Sequence, residues 1–422
     1  MSMVSELVRN VELPKMYKVR QNFSAEKIED IPAEIIKQLS KPEIESTIRP
    51  GMSIAITAGS RGVANIALIT KEIVNFVKSK GAHPFIIPAM GSHGGATAEG
   101  QTQILKDYGI TEQTMGCPLR ATMETVCIGD TEDGRTVLID RYASEADAII
   151  VAGRIKAHTA YRGPYESGVM KMVAIGLGKQ AGADVCHESG FKNMARMVPL
   201  FGKAILKHAN VIFGVGIIEN AYEDTCKIVA LPPQEIIDKE TGLLEEAKAR
   251  MAKILIPETD VLVVDKIGKN ISGDGMDPNI TGTFCTPYAS GGLVAQNVVV
   301  LDLTDETHGN AIGIGMAHAT TRRVYDKMDF EKTYPNAITA TVLQVCRIPM
   351  VMSSDRDAIA VAVRSCIDID KSNVRLVRID NSLHIGEIYI SEAHLAEARQ
   401  NPDLEVLSGP HEWAFDQNGS LW

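Results

Sequence analysis

At 422 residues the chain exceeds one ordinary hydrophobic core, so about two domains are expected. Its composition, 45% hydrophobic and 23% charged, is that of a soluble globular protein, and a formal net charge of −10 with no basic run argues against a nucleic-acid-binding surface. Residues 1–10 hold no apolar segment followed by a small-residue cleavage site, and the longest apolar runs are too short and too broken by glycine to span a bilayer. A cytoplasmic location with no membrane partner is expected. The seven cysteines are scattered without a Cys-x-x-Cys pair, which fits free thiols and gives no iron–sulfur or structural zinc site.

After a polar lead-in, Met52 to Ala58 reads as a buried strand and Val63 to Lys80 as an amphipathic helix ended by Gly81. His83 to Ala89 and Thr97 to Tyr108 repeat the pattern. Such alternation predicts a parallel sheet with helices on its faces, and ligands in such sheets bind at the carboxyl ends of the strands. The loops emerging there run from Gly59 to Gly62 and from Met90 to Ala96. Thr125 to Gly129 and Thr136 to Asp140 form an inserted hairpin, and Ala146 to Ala152 is another buried strand. Three strand ends therefore present Arg61, His93 and His158 to one side of one sheet.

Further on, Phe191 to Ala209 reads as a helix, Val211 to Glu219 and Cys226 to Leu231 as strands, and a charged helix opened by Pro232 and Pro233 runs to about Lys253. Asp260 to Val264 begins a second domain and ends in a glycine-rich loop, Asp265 to Gly282. A strand over Asn297 to Leu303 follows, with helices near Thr320 to Lys327, Ala337 to Cys346 and Asp355 to Cys366, then strands Val374 to Ile379 and Ile385 to Ile390. The predicted fold is α/β in two domains, residues 1–257 and 258–422, each with a mainly parallel sheet covered by helices and the active site in the cleft between them.

Four stretches carry chemistry. The loop Gly59-Ser60-Arg61-Gly62 lies between a strand and a helix, where backbone N–H groups hold an anion, and the planar fork of Arg61 suits a carboxylate. His93 is flanked by Gly91, Ser92, Gly94 and Gly95, so its ring can approach a ligand unobstructed and serve as an acid or base. Lys171 lies among Val169, Met170, Met172, Val173, Ala174 and Ile175, so a helix here would carry its ammonium inward. Desolvation would then free its amine for covalent chemistry. His158 and His187 bracket it without the spacing of a preformed zinc site.

These residues resemble the nickel-pincer-nucleotide enzymes of the lactate racemase superfamily, 2-hydroxyacid racemases and epimerases. The resemblance covers most of the chain and is densest at Gly59 to Gly62, Pro88 to Gln101, Ile155 to His187 and Gly268 to Gly273. It implies an isomerase whose cofactor is a pyridinium-3-thioamide-5-thiocarboxylate mononucleotide carrying nickel, covalently bound at Lys171 and contacted by Gly59 and Ser60. It further implies His187 as the nickel ligand and His93 and His158 as the acid/base pair. Arg61 would bind the substrate carboxylate, with Lys269 as second cationic contact and Lys266 close behind. In the implied reaction one histidine removes the hydroxyl proton while the α-hydrogen leaves as hydride, and the planar 2-oxo acid regains it on the other face. The implied partners are a small 2-hydroxy acid and the cofactor-synthesis enzymes, and an oligomer is compatible with the sequence. Two rivals are a nicotinamide-dependent dehydrogenase, which lacks its Gly-x-Gly-x-x-Gly after the first strand, and a non-catalytic carboxylate-binding protein, which has no use for two histidines and a buried lysine.

Overall fold

Strands that are apolar at consecutive positions must bury both faces, and the chain satisfies this by stacking helices on either side of its sheets. The computed structural model of the protein describes residues 3–60 and 62–422. Its strands are β1 (Met16–Gln21), β2 (Ser53–Ala58), β3 (His83–Pro88), β4 (Thr125–Asp130), β5 (Thr136–Asp140), β6 (Ala148–Arg154), β7 (Val211–Glu219), β8 (Thr225–Leu231), β9 (Glu258–Ile267), β10 (Val294–Leu303), β11 (Ala319–Thr321), β12 (Met350–Met352), β13 (Leu376–Ile379), β14 (Glu387–Ser391) and β15 (Leu404–His411). They divide between two compact units, Ser24–Met251 and Met1–Phe23 together with Ala252–Trp422.

In the first unit a five-stranded sheet has the order β3-β2-β6-β7-β8, parallel except for the β7/β8 pair. Alternate residues feed alternate faces. Ile54, Ile56, Ile150, Phe213 and Val215 pack under the helices Ile31–Leu39 and Ile66–Ser79, while Ala55, Ile87, Ile149 and Val151 pack under Met194–His208 and the segment following Gly168. The β4/β5 hairpin stands apart as its own two-stranded sheet.

The second unit holds an eight-stranded sheet in the order β12-β11-β10-β9-β13-β14-β1-β15. Strands β9 to β13 are mutually parallel, and β14, β1 and β15 extend the sheet antiparallel. The expected boundary at 257/258 is therefore replaced by one at 251/252, and the first 23 residues join the C-terminal unit. Strand β1 belongs there because its partners are β14 and β15, a pairing that no local pattern announces.

Several helices also differ from expectation. The helix expected over Ala337 to Cys346 forms over Phe330–Thr339, started by the Asp329 carboxylate accepting from Lys332 N, and Leu343–Cys346 is a separate short 3₁₀ turn. Thr320 pairs in β11 instead of opening a helix, which begins at Arg322. The segment after Gly168 is a single α turn, Val169–Lys171, continued by a π turn, Met172–Gly176. Its Leu177 N–H reaches back five residues to Met172 O, 2.9 Å. π turns are rare and recur at functional sites.

This segment lies unusually close to the sheet. A Cβ on Gly176 would stand 2.9 Å from Ala89 O, and one on Gly153 would stand 2.7 Å from Met172 Cγ. An added methyl in a helix normally stabilises by up to about 1 kcal/mol, but overpacking against a backbone carbonyl costs about 1–3 kcal/mol, so the clash decides the sign. Gly176→Ala should thus lower the unfolding free energy in a denaturant titration; an unchanged or raised midpoint would show that this approach is not tight.

Candidate active site

The carboxyl ends of β2, β3 and β6 are neighbours in the sheet, so the loops they release meet at one edge. From β2 comes Gly59-Ser60, with Arg61 lying outside the described residues. A Cβ on Gly59 would stand 3.5 Å from Met172 Cε, which places this loop over the π turn. The following helix starts only at Ile66, so residues 63–65 separate the loop from a helix N-terminus and the expected strand-to-helix anion turn is not formed directly. Its conformation is fixed instead by side chains: Tyr108 Oη donates to Ser60 O at 3.0 Å, and Ser60 Oγ hydrogen-bonds His93 Nδ1. The Ser60 hydroxyl, expected to touch cofactor, joins the two loops.

His93 is exposed on the loop after β3. Gly91, Gly94 and Gly95 there have φ of 57°, 66° and 64°, and a Cβ on Gly94 would stand 2.6 Å from Gln101 N, so glycine is required at that turn. The Gln101 side-chain NH₂ donates to Gly91 O (2.9 Å) and His93 O (3.2 Å).

His158 follows β6 in a loop closed by backbone pairing of Lys156 with Ser167. The buried Glu166 carboxylate accepts from His158 N (2.7 Å) and is met by Lys248 Nζ (3.0 Å) and an Arg162 guanidinium nitrogen (3.3 Å). The ring packs 4.5 Å from Tyr161 and 6.2 Å from Phe191, centroid to centroid. Its Nδ1 accepts from Ala160 N at 3.0 Å, so the neutral ring carries its proton on Nε2.

Lys171 ends the α turn and is half-buried, unlike the deeply inward ammonium expected from its apolar neighbours. Those neighbours, Val169, Met170, Val173, Ala174 and Ile175, are buried. The helix start is held by Glu240, whose carboxylate accepts from Met170 N at 2.8 Å. Burial pushes the Glu240 carboxyl up to about 8, against the opposing pull of the Met170 and Val169 N–H groups.

His187 closes the helix Lys179–His187, with its ring centroid 6.1 Å from that of Phe191. Phe191 thus stands beside both imidazoles. Burial first, and the Lys171 charge second, hold the His187 ring below its ordinary value, so it is a neutral donor at neutral pH. The adjacent Cys186 thiol is pushed up to about 12 by burial and stays protonated. Among the described residues no three His, Cys, Asp or Glu side chains are grouped to hold a metal by themselves.

His93, His158, Lys171 and His187 therefore share one edge of the first unit. Lys269 lies in the second unit, on the loop after β9, its Nζ donating to Gly273 O at 2.8 Å. Lys266 is an exposed strand residue 6.0 Å over the Trp422 ring. Sequence reasoning missed Gln101, Glu166, Glu240 and above all Lys179, which is fully buried with Asp140 3.3 Å away. A polar residue within a run of small and apolar ones, as at Lys179, was the available signal.

Residues 6–197 match the family model described as the lactate racemase N-terminal domain. Over that part the chain is similar to the lactate racemase family. Among solved structures, the lactate racemase apoprotein from Thermoanaerobacterium thermosaccharolyticum is similar in fold, with a TM-score of 0.51 and 12% identity over 87% of this chain and 98% of that one. No curated protein matches. That match supports an isomerase of the racemase or epimerase type. No helix among the described residues is long and apolar enough to cross a membrane.

Because the Lys171 charge helps to hold the His187 ring down, its removal has a readable effect. In Lys171→Met the His187 ring should titrate closer to 6.5 in a ring-proton NMR titration. No movement would assign the whole shift to burial.

Proposed function

We propose that the chain is a racemase or epimerase of a 2-hydroxy acid, acting with a nickel-pincer nucleotide tethered to Lys171. The observation that carries this reading is the placement of a half-buried amine beside a neutral imidazole, His187, with two further histidines on loops from adjacent parallel strands. The donor chemistry fits the group: an amine available for a thioamide link, one imidazole lone pair, and no three-residue protein cage among the described residues, so a metal here would draw its other donors from an organic ligand. Acylating Lys171 also removes its charge and leaves His187 a better donor. When bound, the cofactor supplies an acceptor that takes the α-hydrogen as hydride and returns it.

The chain's own residues do the rest. Arg61 holds the substrate carboxylate while the central carbon turns between its two faces. His93, with Nδ1 on the Ser60 hydroxyl, takes the substrate hydroxyl proton at Nε2. His158 stands as the acid for the opposite side, and to protonate the substrate oxygen from Nε2 it must first be the imidazolium, with Nδ1–H turned away from Ala160 N. For the other enantiomer the two exchange roles, His158 then being neutral with its hydrogen on Nδ1 and its Nε2 lone pair taking the hydroxyl proton. Gly59 and Ser60 line the cofactor side of the same edge.

A panel of enantiopure 2-hydroxy acids, tested against protein made together with the cofactor-synthesis enzymes, identifies the substrate by chiral chromatography. In single turnover His93→Ala and His158→Ala should then show opposite enantiomer preferences in forming the 2-oxo acid. Each should lose roughly 10²–10⁴ in rate on the side whose base is gone. Slowing of the same enantiomer by both variants would place the histidines on one face and contradict the two-base mechanism.

A further inference from the structure

Lys179 opens the helix that ends in His187, and its side chain turns back into the sheet from a left-handed backbone, φ 53°. It is fully buried, and its ammonium donates to Gln101 Oε1 at 2.7 Å and Pro88 O at 2.8 Å, with Asp140 Oδ2 3.3 Å away as an ion-pair partner. Burial pulls the Lys179 amine down, and the Asp140 carboxylate opposes that shift. An apolar side chain would fill this space without desolvating a charge, so the charge requires another explanation.

Gln101 supplies it. An amide side chain can sit either way round, but a lysine only donates, so the Gln101 oxygen must face Lys179 and the NH₂ must face the loop. That NH₂ is the group bonded to both Gly91 O and His93 O. We propose that Lys179 and Gln101 are positioning residues for His93: the buried ammonium sets the amide, and the amide clamps the glycine-rich loop from beneath. The same lysine starts the helix of His187 and grips the exit of β3 through Pro88, so the spacing between His93 and His187 is fixed by one cation. The role assigned to His93 rests on the racemase reading; the clamp itself does not.

Gln101→Glu separates positioning from mere filling. It keeps size and burial and strengthens the contact with Lys179, but turns an oxygen toward two carbonyls. In the full-length chain, hydrogen–deuterium exchange of residues 91–96 should quicken about tenfold or more, the loss of roughly one hydrogen bond, while β7 amides keep their protection. In the cofactor-loaded enzyme kcat should fall by about tenfold or more with KM changed less than about twofold, because a misplaced base affects the proton transfer rather than substrate binding. Lys179→Met combined with Asp140→Asn, which leaves no unpaired carboxylate, should reproduce both effects; if that variant fails to fold, Gln101→Glu carries the test alone. Unchanged loop exchange overturns the clamp, and a loosened loop with unaltered kcat overturns its role toward His93. A wild-type holoprotein that racemises no 2-hydroxy acid is the separate failure of the functional reading, and the exchange measurement still decides the clamp.

Discussion

The site depends on how closely one short helical segment can lie against the ends of three strands. Residues 169–176 reach that position because Gly153 and Gly176 present no side chain where Met172 Cγ and Ala89 O already stand. A regular α-helix would carry Met172 onward at 3.6 residues per turn, whereas the π turn inserts an extra residue after Lys171. Once the segment is seated, the loops of Gly59, His93 and His158 have a floor. The lysine then comes near enough to His187 for its charge to act on the ring.

Around that floor buried carboxylates and amides act as struts. Glu240 grips the start of the lysine-bearing turn, Glu166 grips the backbone of His158, and Gln101 grips the loop of His93. Each is a polar group whose desolvation is offset by bonds to backbone N–H or C=O groups of a loop that has little secondary structure of its own. The cost is visible at Glu240, whose carboxyl is pushed up to about 8 with two peptide N–H groups opposing the shift. Such bonds make glycine-rich loops precise without making them apolar, which leaves their outer surfaces to meet a polar substrate.

Much of the first unit was legible in the sequence because its strands are apolar at consecutive positions and its helices carry a single apolar stripe. The alternation predicted the parallel sheet, and the sheet predicted that residues near 60, 93 and 158 converge. What failed had no local signal. Strand β1 exposes Arg20 and half-exposes Tyr17 and Lys18, and β15 is exposed along most of its length, so neither resembles a core strand. Pro335 inside the helix Phe330–Thr339 disguised it as a loop, although Asp329 marks its start. At the site, the apolar setting of Lys171 suggested a buried amine, but Lys171 is half-buried and the fully buried lysine is Lys179, which starts its helix from a left-handed backbone. Glu166, Glu240 and Gln101 act through partners distant in the chain or through loop backbone, and single-sequence patterns do not carry such pairings.

The claim on which the account stands is that Lys171 bears the cofactor. The most direct measurement is the intact mass of the purified chain made with and without the cofactor-synthesis enzymes, followed by a peptide map of the modified form. The account predicts a mass increment present only with those enzymes, located on Lys171, and lost in Lys171→Ala together with bound nickel and activity. An active holoprotein whose Lys171 peptide is unmodified would contradict it.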